Sequence, residues 1–487
     1  MQNQAQQTNS VIECLRSEVL KLENLEGDLL ARIMQVQTSL TCKRARLGEE
    51  MNRLIPVDCL PDEILLICFE RAIQLWKSSS GDGEDDAPAS VVVSHVSRRW
   101  RRLAISTPSL WTHVQVTPNK EDDVHLFKRF LHRSANVPIH VHFRHCVDTD
   151  EPSQHSSESS SCSEDRQADN YHYIINALLP SIDRITALSA LDSGTVVSLL
   201  LTRSLTYPAS SMPFSETFAS LTALTVANPH QRDDENPIAY SLFQRFLSAS
   251  PNLTSLTLDG KVVKPTGNSI TAVDLPSLEY MSITTSASAF RESLSFITSL
   301  SASALHHLEL RRLVLFWTPD VIGAFFKDTS PKFPNVRHLT LDAIFCKGAD
   351  RAQLFVEAFP RVVHLTIDAL SLEQINPGNL HLVGSDSSAA AVWPLLQELT
   401  LDYRFLTPRR LSGVCCWLEA RRNEAKQPLH IHILGPVGAR RCKGFPRHIK
   451  KLQEYGDVDL ENINLQAFPS WDTEEDIWEG SSYEVLT

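Results

Sequence analysis

Three histidines recur at one place in a repeating pattern. In ALHHLELR, PNVRHLTLD and PRVVHLTID the third residue, counted from the leading apolar position, is His307, His338 and His364. Neighbouring copies put Ser255 and Tyr280 there on one side and Glu398 on the other. The fifth positions are Thr257, Ser282, Glu309, Thr340, Thr366 and Thr400, and the seventh are Asp259, Thr284, Arg311, Asp342, Asp368 and Asp402. If each copy is one strand of a parallel sheet, like positions stack about 4.8 Å apart. A file of imidazoles at that spacing offers hydrogen bonds, positive charge towards an acidic partner once protonated, or metal ligands. Tyr280, His307, Glu309, Arg311, His338, His364 and Glu398 are therefore the candidate target-binding residues. The competing reading is a solvated ladder with no ligand, its Asp column capping strand-to-loop turns.

Other chemistry is not signalled. His140 and His142 in IHVHFRHC share one face of a strand, with Val141 and Phe143 on the other, which is ordinary alternation. No second ligand cluster with zinc spacing accompanies them, so neither metal nor cofactor is expected. GxSxG, P-loop, GxGxxG and HExxH motifs are absent, and no sequence feature aims two carboxylates at one site. The ten cysteines include no CxxC, and Cys415 adjoins Cys416. Reduced thiols in a cytoplasmic or nuclear protein fit that pattern. The expectation is a binding protein and not an enzyme.

The elements that would position the histidines form an irregular array. Apolar-x-x-apolar-x-apolar copies start at Ile182, Leu221, Leu253, Leu278, Leu305, Val336, Val362 and Leu396, with Pro428–Ile433 closing the series. The eight starts are 39, 32, 25, 27, 31, 26 and 34 residues apart, and six copies carry a Pro two residues upstream. A period near 30 with LxxLxL spacing indicates a leucine-rich-repeat-like solenoid over residues 170–455. Its first, fourth and sixth positions point inward, and its x positions line a concave sheet. Helical segments are expected between copies at Ile238–Ser248, Arg291–Leu300, Val321–Lys327, Arg351–Phe359 and Arg409–Arg421. Asp or Thr stands where regular repeats carry asparagine, so an irregular horseshoe is expected.

At the front, residues 1–10 read as disordered and 11–54 as a helix. With Ile12 at heptad position a, the seam is Ile12, Leu15, Val19, Leu22, Glu26, Leu29, Ile33, Val36, Leu40, Lys43, Leu47, Glu50 and Leu54. Ten of these thirteen are apolar, a coiled-coil signal; a single amphipathic helix folded on its own chain is the alternative. Residues 55–116 change character. Leu60-Pro61-Asp62-Glu63-Ile64-Leu65 opens a helix, with Pro where its missing N–H costs nothing and acids at the positive end of the dipole. Ile64, Ile67, Cys68, Ala72 and Leu75 recur at helical spacing. After the polar stretch Lys77–Ser90, read as a loop, a second helix carries Val93, Val96, Trp100 and Leu103 on one stripe. Arg98, Arg99, Arg101 and Arg102 flank it as a solvated surface in preference to a nucleic-acid arm. Thr107-Pro108 stops it, and Leu110-Trp111 tucks beneath.

LPDEIL, VSHVSRRWRRLA and PSLW in that order resemble an F-box. With the preceding coil and the loop insertion, they resemble the F-box-like proteins of mushroom-forming fungi. The resemblance covers about 60 residues. It implies docking on Skp1, the adaptor of a cullin-RING ubiquitin ligase, through Leu60, Pro61, Ile64 and Leu65. It also implies an F-box core of Val93, Val96, Trp100, Leu103 and Trp111. The whole chain would be α/β: a coiled-coil helix, a small all-α F-box-like module and a leucine-rich-repeat-like solenoid. It would serve as a substrate-receptor subunit of a Skp1-cullin-F-box ligase, holding an unknown target protein. A ligase-independent scaffold, homodimeric through residues 11–54, is the alternative.

The remaining segments join these parts. Residues 117–146 read as a strand/helix connector. Residues 147–169, with seven acids and seven serines, read as an acidic linker in which Ser161 and Ser163 could accept phosphate. Residues 456–487 carry nine acids and no base, a tail that stays free, lies partly on the basic cluster at 440–451 or caps the end of the solenoid. The net charge of −12 argues against a chain-wide nucleic-acid footprint. No apolar run is long enough for a membrane span.

Overall fold

The computed structural model describes residues 2–79, 88–116, 121–143, 161–191, 194–206, 218–228, 238–264, 272–285, 290–311, 323, 325–327, 330–341, 356–368, 393–402, 415, 418, 421, 429–434 and 450–461. Contacts divide the chain into two units, Met1–Trp111 and Thr112–Thr487.

The first unit begins with one 52-residue helix, α1 (Gln2–Arg53). Residues 2–10 of the stretch expected to be disordered belong to it. They contain neither Gly nor Pro and are rich in Gln, so nothing in them breaks a helix. After a 3-10 turn at Pro56–Cys59 come α2 (Asp62–Ser79), α3 (Ala89–Val96) and α4 (Arg98–Ser106). The sequence suggested a single helix through Val93 and Leu103. It breaks instead at Ser97, whose extended backbone (φ −149°, ψ 165°) starts a new helix, with Oγ accepting from Trp100 N at 3.2 Å. Residues 80–87 of the polar stretch lie outside the described residues. A 3-10 turn at Pro108–Trp111 closes the unit, and Trp111 is fully buried with Nε1 donating to the Ala104 carbonyl at 2.7 Å.

The second unit is built on a twelve-stranded, all-parallel sheet in sequence order. Its strands are β1 (His113–Val116), β2 (Ile139–Phe143), β3 (Ile185–Leu191), β4 (Ala223–Asn228), β5 (Ser255–Gly260) and β6 (Tyr280–Thr284). They continue as β7 (His307–Arg311), β8 (His338–Leu341), β9 (His364–Asp368), β10 (Glu398–Asp402), β11 (Leu429–Leu434) and β12 (Gly456–Glu461). Each repeat read from the sequence supplies one strand of this leucine-rich-repeat-like stack.

Three boundaries move. The sheet starts before residue 170, because β1 and β2, with α5 (Glu121–Arg133) between them, already belong to it. The helical module therefore ends at Trp111. The supposed linker is helical from Ser161, where α6 (Ser161–Leu178) begins, while 144–160 lie outside the described residues. Among the described residues the array ends with β12, in the stretch expected to be tail, one reading of which caps the solenoid: GDVDLE alternates polar and apolar and completes a twelfth rung. Gly456 permits this docking, since a Cβ there would overlap the Leu429 carbonyl. Residues 462–487, the rest of the proposed tail, and Arg440–Arg447 of the basic cluster lie outside the described residues.

Helices α7 (Gly194–Thr206), α8 (Tyr240–Ser248) and α9 (Phe290–Ser299) fill gaps between rungs. The helix expected at Val321–Lys327 is not formed at its end, where Phe326–Lys327 pairs antiparallel with Ser330–Pro331. The upstream prolines explain how each rung is entered. Leu253 N bonds Ser250 O at 3.1 Å around Pro251, Leu278 N bonds Leu275 O at 3.2 Å around Pro276, and Val336 N bonds Phe333 O at 3.3 Å around Pro334. Leu396 N bonds Trp393 O at 3.3 Å around Pro394. Proline sets φ for the second residue of such a turn, so it aims the chain into the next strand at low entropic cost.

The core is the stacked inward columns. Val114, Val141, Leu188, Leu224, Leu256, Met281, Leu308, Leu339, Leu365, Leu399 and Ile431 are all buried and occupy one register position. No rung can cover this surface alone, so the strands hold as a stack.

Candidate functional site

In the first unit the question is which face of α2 is spare. Leu65, Phe69 and Ile73, four residues apart, are buried, and the Phe69 ring lies 4.8 Å from that of Trp100. Leu65 was expected at the docking edge, but it is 0% exposed and belongs to the core. Pro61 and Ile64 do face solvent, and Leu60 is half-buried. The stripe that recurs at helical spacing in the sequence is the outer one: Ile64, Ile67, Cys68, Ala72 and Leu75 are exposed. Among the expected core residues, Val93 and Trp111 are buried and Trp100 and Leu103 half-buried, but Val96 is 54% exposed. Ending α3 at Val96 removes it from the stripe that a continuous helix would have buried.

Arg99 holds the start of α2 in place. Its guanidinium donates to the Leu60 carbonyl at 2.6 Å and to Asp62 Oδ1 at 2.6 and 3.0 Å. The segment Leu60–Asp62 thus has a defined position. Arg98, Arg101 and Arg102 lie on exposed surface, as a solvated helix face requires.

In the second unit, strand alternation turns the x positions to the face opposite the core, and parallel register aligns them. Tyr280 pairs with His307, His307 with His338, His338 with His364, and His364 with Glu398. The rings of His338 and His364 are stacked, 4.2 Å between centroids and 2° between planes. His307 and His338 stack at 5.5 Å, and Tyr280 meets His307 edge-on at 4.8 Å. The file ends on a carboxylate: His364 Nδ1 lies 2.5 Å from Glu398 Oε2.

Glu309, one column across, is the best-satisfied acid of the group, with a side chain only 12% exposed. Its Oε2 accepts from Arg311 Nε at 3.0 Å and from Ser282 Oγ at 3.1 Å, and Oε1 lies 3.4 Å from His307 Nε2. Burial by itself would raise its pKa. Hydrogen bonding from His307, the Arg311 charge, and hydrogen bonds from Tyr280 and Ser282 outweigh that and hold it at about 2. The Tyr280 hydroxyl is pushed up, by burial first and by the Glu309 charge second. His338 is pushed down, by burial first and then by the neighbouring His364, His307 and His306.

All seven candidate target-binding residues therefore meet on three adjoining columns of one face. The seventh-position column continues through Asp259, Thr284 and Arg311, and Asp368 pairs with Asp402; Asp342 lies outside the described residues. The file is also longer than the repeats indicated. His113 and His140 occupy its first two rungs, with ring centroids 4.4 Å apart, and His430 and Asp457 its last two. The adjacent column carries His142, His432 and Asp459. Among the described residues eight histidines thus line this face: 113, 140, 142, 307, 338, 364, 430 and 432. The outlying ones lack LxxLxL spacing, and the signal that reaches them is plain alternation in HVQV, IHVHF and LHIHIL.

The geometry suits binding better than metal chemistry. An imidazole lone pair lies in the ring plane, so two rings stacked face to face cannot aim nitrogens at one ion. Among the described residues no group of three His, Cys, Asp or Glu is arranged to hold a metal. The face instead offers flat rings, hydroxyls and a guanidinium in a regular grid. Among the described residues no helix is long and apolar enough to cross a membrane.

No family model matches the chain, and no curated protein matches its sequence. Solved structures with a similar arrangement include the leucine-rich repeat-containing protein LegL7 of Legionella pneumophila. It is 12% identical, with TM-score 0.34, over 71% of this chain and 92% of that one. Another is the Rad7 and Elc1 complex of yeast, 10% identical, with TM-score 0.27, over 87% of this chain and 98% of that one. Both scores are low, and neither likeness assigns a role to any residue here.

Proposed function

We propose that this chain is a substrate-receptor subunit of a Skp1-cullin-F-box ubiquitin ligase. Its helical unit docks on a Skp1-like adaptor, and its strand face holds a target protein. Catalysis belongs to other subunits, and this chain acts by raising the effective concentration of the target beside them. The observation that supports the reading best is the outer face of α2. Pro61, Ile64, Ile67 and Leu75 form an apolar strip that the unit's own core does not use, next to a segment fixed by Arg99. Small helical units with a spare apolar strip gain stability by covering it with a partner.

The test is recovery of the adaptor on the full-length protein, comparing the wild type with a Leu60→Ala, Pro61→Ala, Ile64→Ala triple variant. Adaptor bound by the wild type and lost by a folded triple variant supports docking at this strip. A wild type that recovers no Skp1-like protein rejects it. Leu65 is left unchanged because it is core.

A second reading is favoured by α1, whose seam residues Ile12 to Leu47 are exposed wherever they are apolar. In that reading the protein is a ligase-independent scaffold, self-associated through this helix, and the strand face still binds a protein partner.

A further inference from the structure

We infer that α1 pairs with α1 of a second copy in antiparallel orientation, in the register that sets Glu26 opposite Lys43. This deepens the self-association reading and rests on it.

The apolar seam of α1 lies open to a partner, and its charges say which partner fits. Residues 11–30 carry five acids (Glu13, Glu18, Glu23, Glu26, Asp28) against two bases (Arg16, Lys21). Residues 31–48 carry four bases (Arg32, Lys43, Arg44, Arg46) and no acid. The helix is therefore acidic along its first half and basic along its second. A parallel pair would lay like on like, whereas an antiparallel pair lays each half on its opposite.

The seam makes the same choice residue by residue. In a parallel homodimer every a and d residue meets its own copy, so Glu26 faces Glu26, Lys43 faces Lys43 and Glu50 faces Glu50. The flanking g-to-e contact would add Glu18 against Glu23. In an antiparallel pair, a packs against d, and e flanks e. Aligning Glu26 with Lys43 of the second copy then places Leu22 on Leu47, Leu29 on Leu40 and Ile33 on Val36, each pair occurring twice about the two-fold axis. It also brings Glu23 alongside Arg44. Shifting by one heptad sets Glu26 on Glu50 in one direction and on Val36 in the other, so charge selects a single register. Glu23, Glu26, Lys43 and Arg44 are all exposed in the isolated chain and can make these pairs. Val19 opposite Glu50, at each end, is the one poor layer.

Sedimentation of the full-length protein at several concentrations tests this. The wild type is expected to dimerise. Lys43→Glu sets acid on acid and Glu26→Lys sets base on base, at two places per dimer, so each should weaken dimerisation by about tenfold. The double variant exchanges the two charges and should return the affinity to within about threefold of wild type. A parallel dimer keeps homotypic like-charge layers in all four proteins and would show neither the loss nor the rescue. Dimerisation without that pattern overturns the antiparallel register and leaves self-association standing. A monomeric wild type overturns both.

Discussion

On α2 the core spares an apolar strip: Ile64, Ile67 and Leu75 lie open, 44% to 61% exposed. On the strand face of the repeat unit the side chains turned from the core are polar, and they already bond one another from rung to rung. The difference is one of what remains to be gained. Covering α2 removes hydrocarbon from water, a gain set by area and little affected by salt or pH. A partner on the strands must exchange bonds that Glu309 and His364 have satisfied, so its gain depends on fit and protonation. The first surface suits a constant partner and the second a selected one.

The largest expected effect tests whether α2 really has two faces. Trp111→Ala empties a fully buried site and removes the bond to Ala104, so it should cost the helical unit about 3–5 kcal/mol. Ile64→Ala should cost within about 0.5 kcal/mol as an exposed change. Hydrogen exchange of α2 and α4 amides in the intact chain reads both. Equal losses would mean that the outer strip is part of the core, and the contrast with the strand face would fail.

Next in size is Glu309. Its pKa falls from 4.5 to about 2 on folding, so the folded protein releases this proton more readily than the unfolded chain. The stabilisation is complete above pH 4.5 and is lost as pH falls through 2. That shift corresponds to about 3 kcal/mol. Glu309→Gln should therefore destabilise the repeat unit by about 2–3 kcal/mol at neutral pH, with the gap to wild type closing towards pH 2. Denaturant titrations across pH measure it, and a constant gap would place the stabilisation elsewhere.

Ser97→Ala is a smaller probe, about 1 kcal/mol for a lost helix cap, read in the same exchange experiment. It bears on how much was legible beforehand. The repeat strands and the columns were legible because a period-2 pattern inside a period near 30 sets both face and register; Tyr280, His307, His338, His364 and Glu398 align as their positions require. The ends were not legible. β1, β2 and β12 alternate without the LxxLxL spacing, and GDVDLE is acidic enough to pass for tail. The buried face of α2 was not legible because both stripes are apolar, so only packing against Trp100 distinguishes Leu65–Phe69–Ile73 from Ile64–Ile67–Leu75. The break at Ser97 was hidden because the stripe Val93, Val96, Trp100, Leu103 keeps helical spacing across it.

The subtlest effect concerns the middle of the histidine file. His364 and His307 each have a carboxylate at hand, whereas His338 is stacked between two imidazoles. Burial, followed by those neighbours, lowers its pKa below 6.5 in the folded protein. The unfolded chain then takes up this proton first, so His338 favours unfolding as pH drops through 6.5 and contributes no such slope above it. His338→Gln should leave stability at pH 8 close to wild type and flatten its decline between pH 7 and 5. A decline that is identical in wild type and His338→Gln would mean that His338 does not resist protonation, and the strand face would lose its claim to pH-dependent recognition.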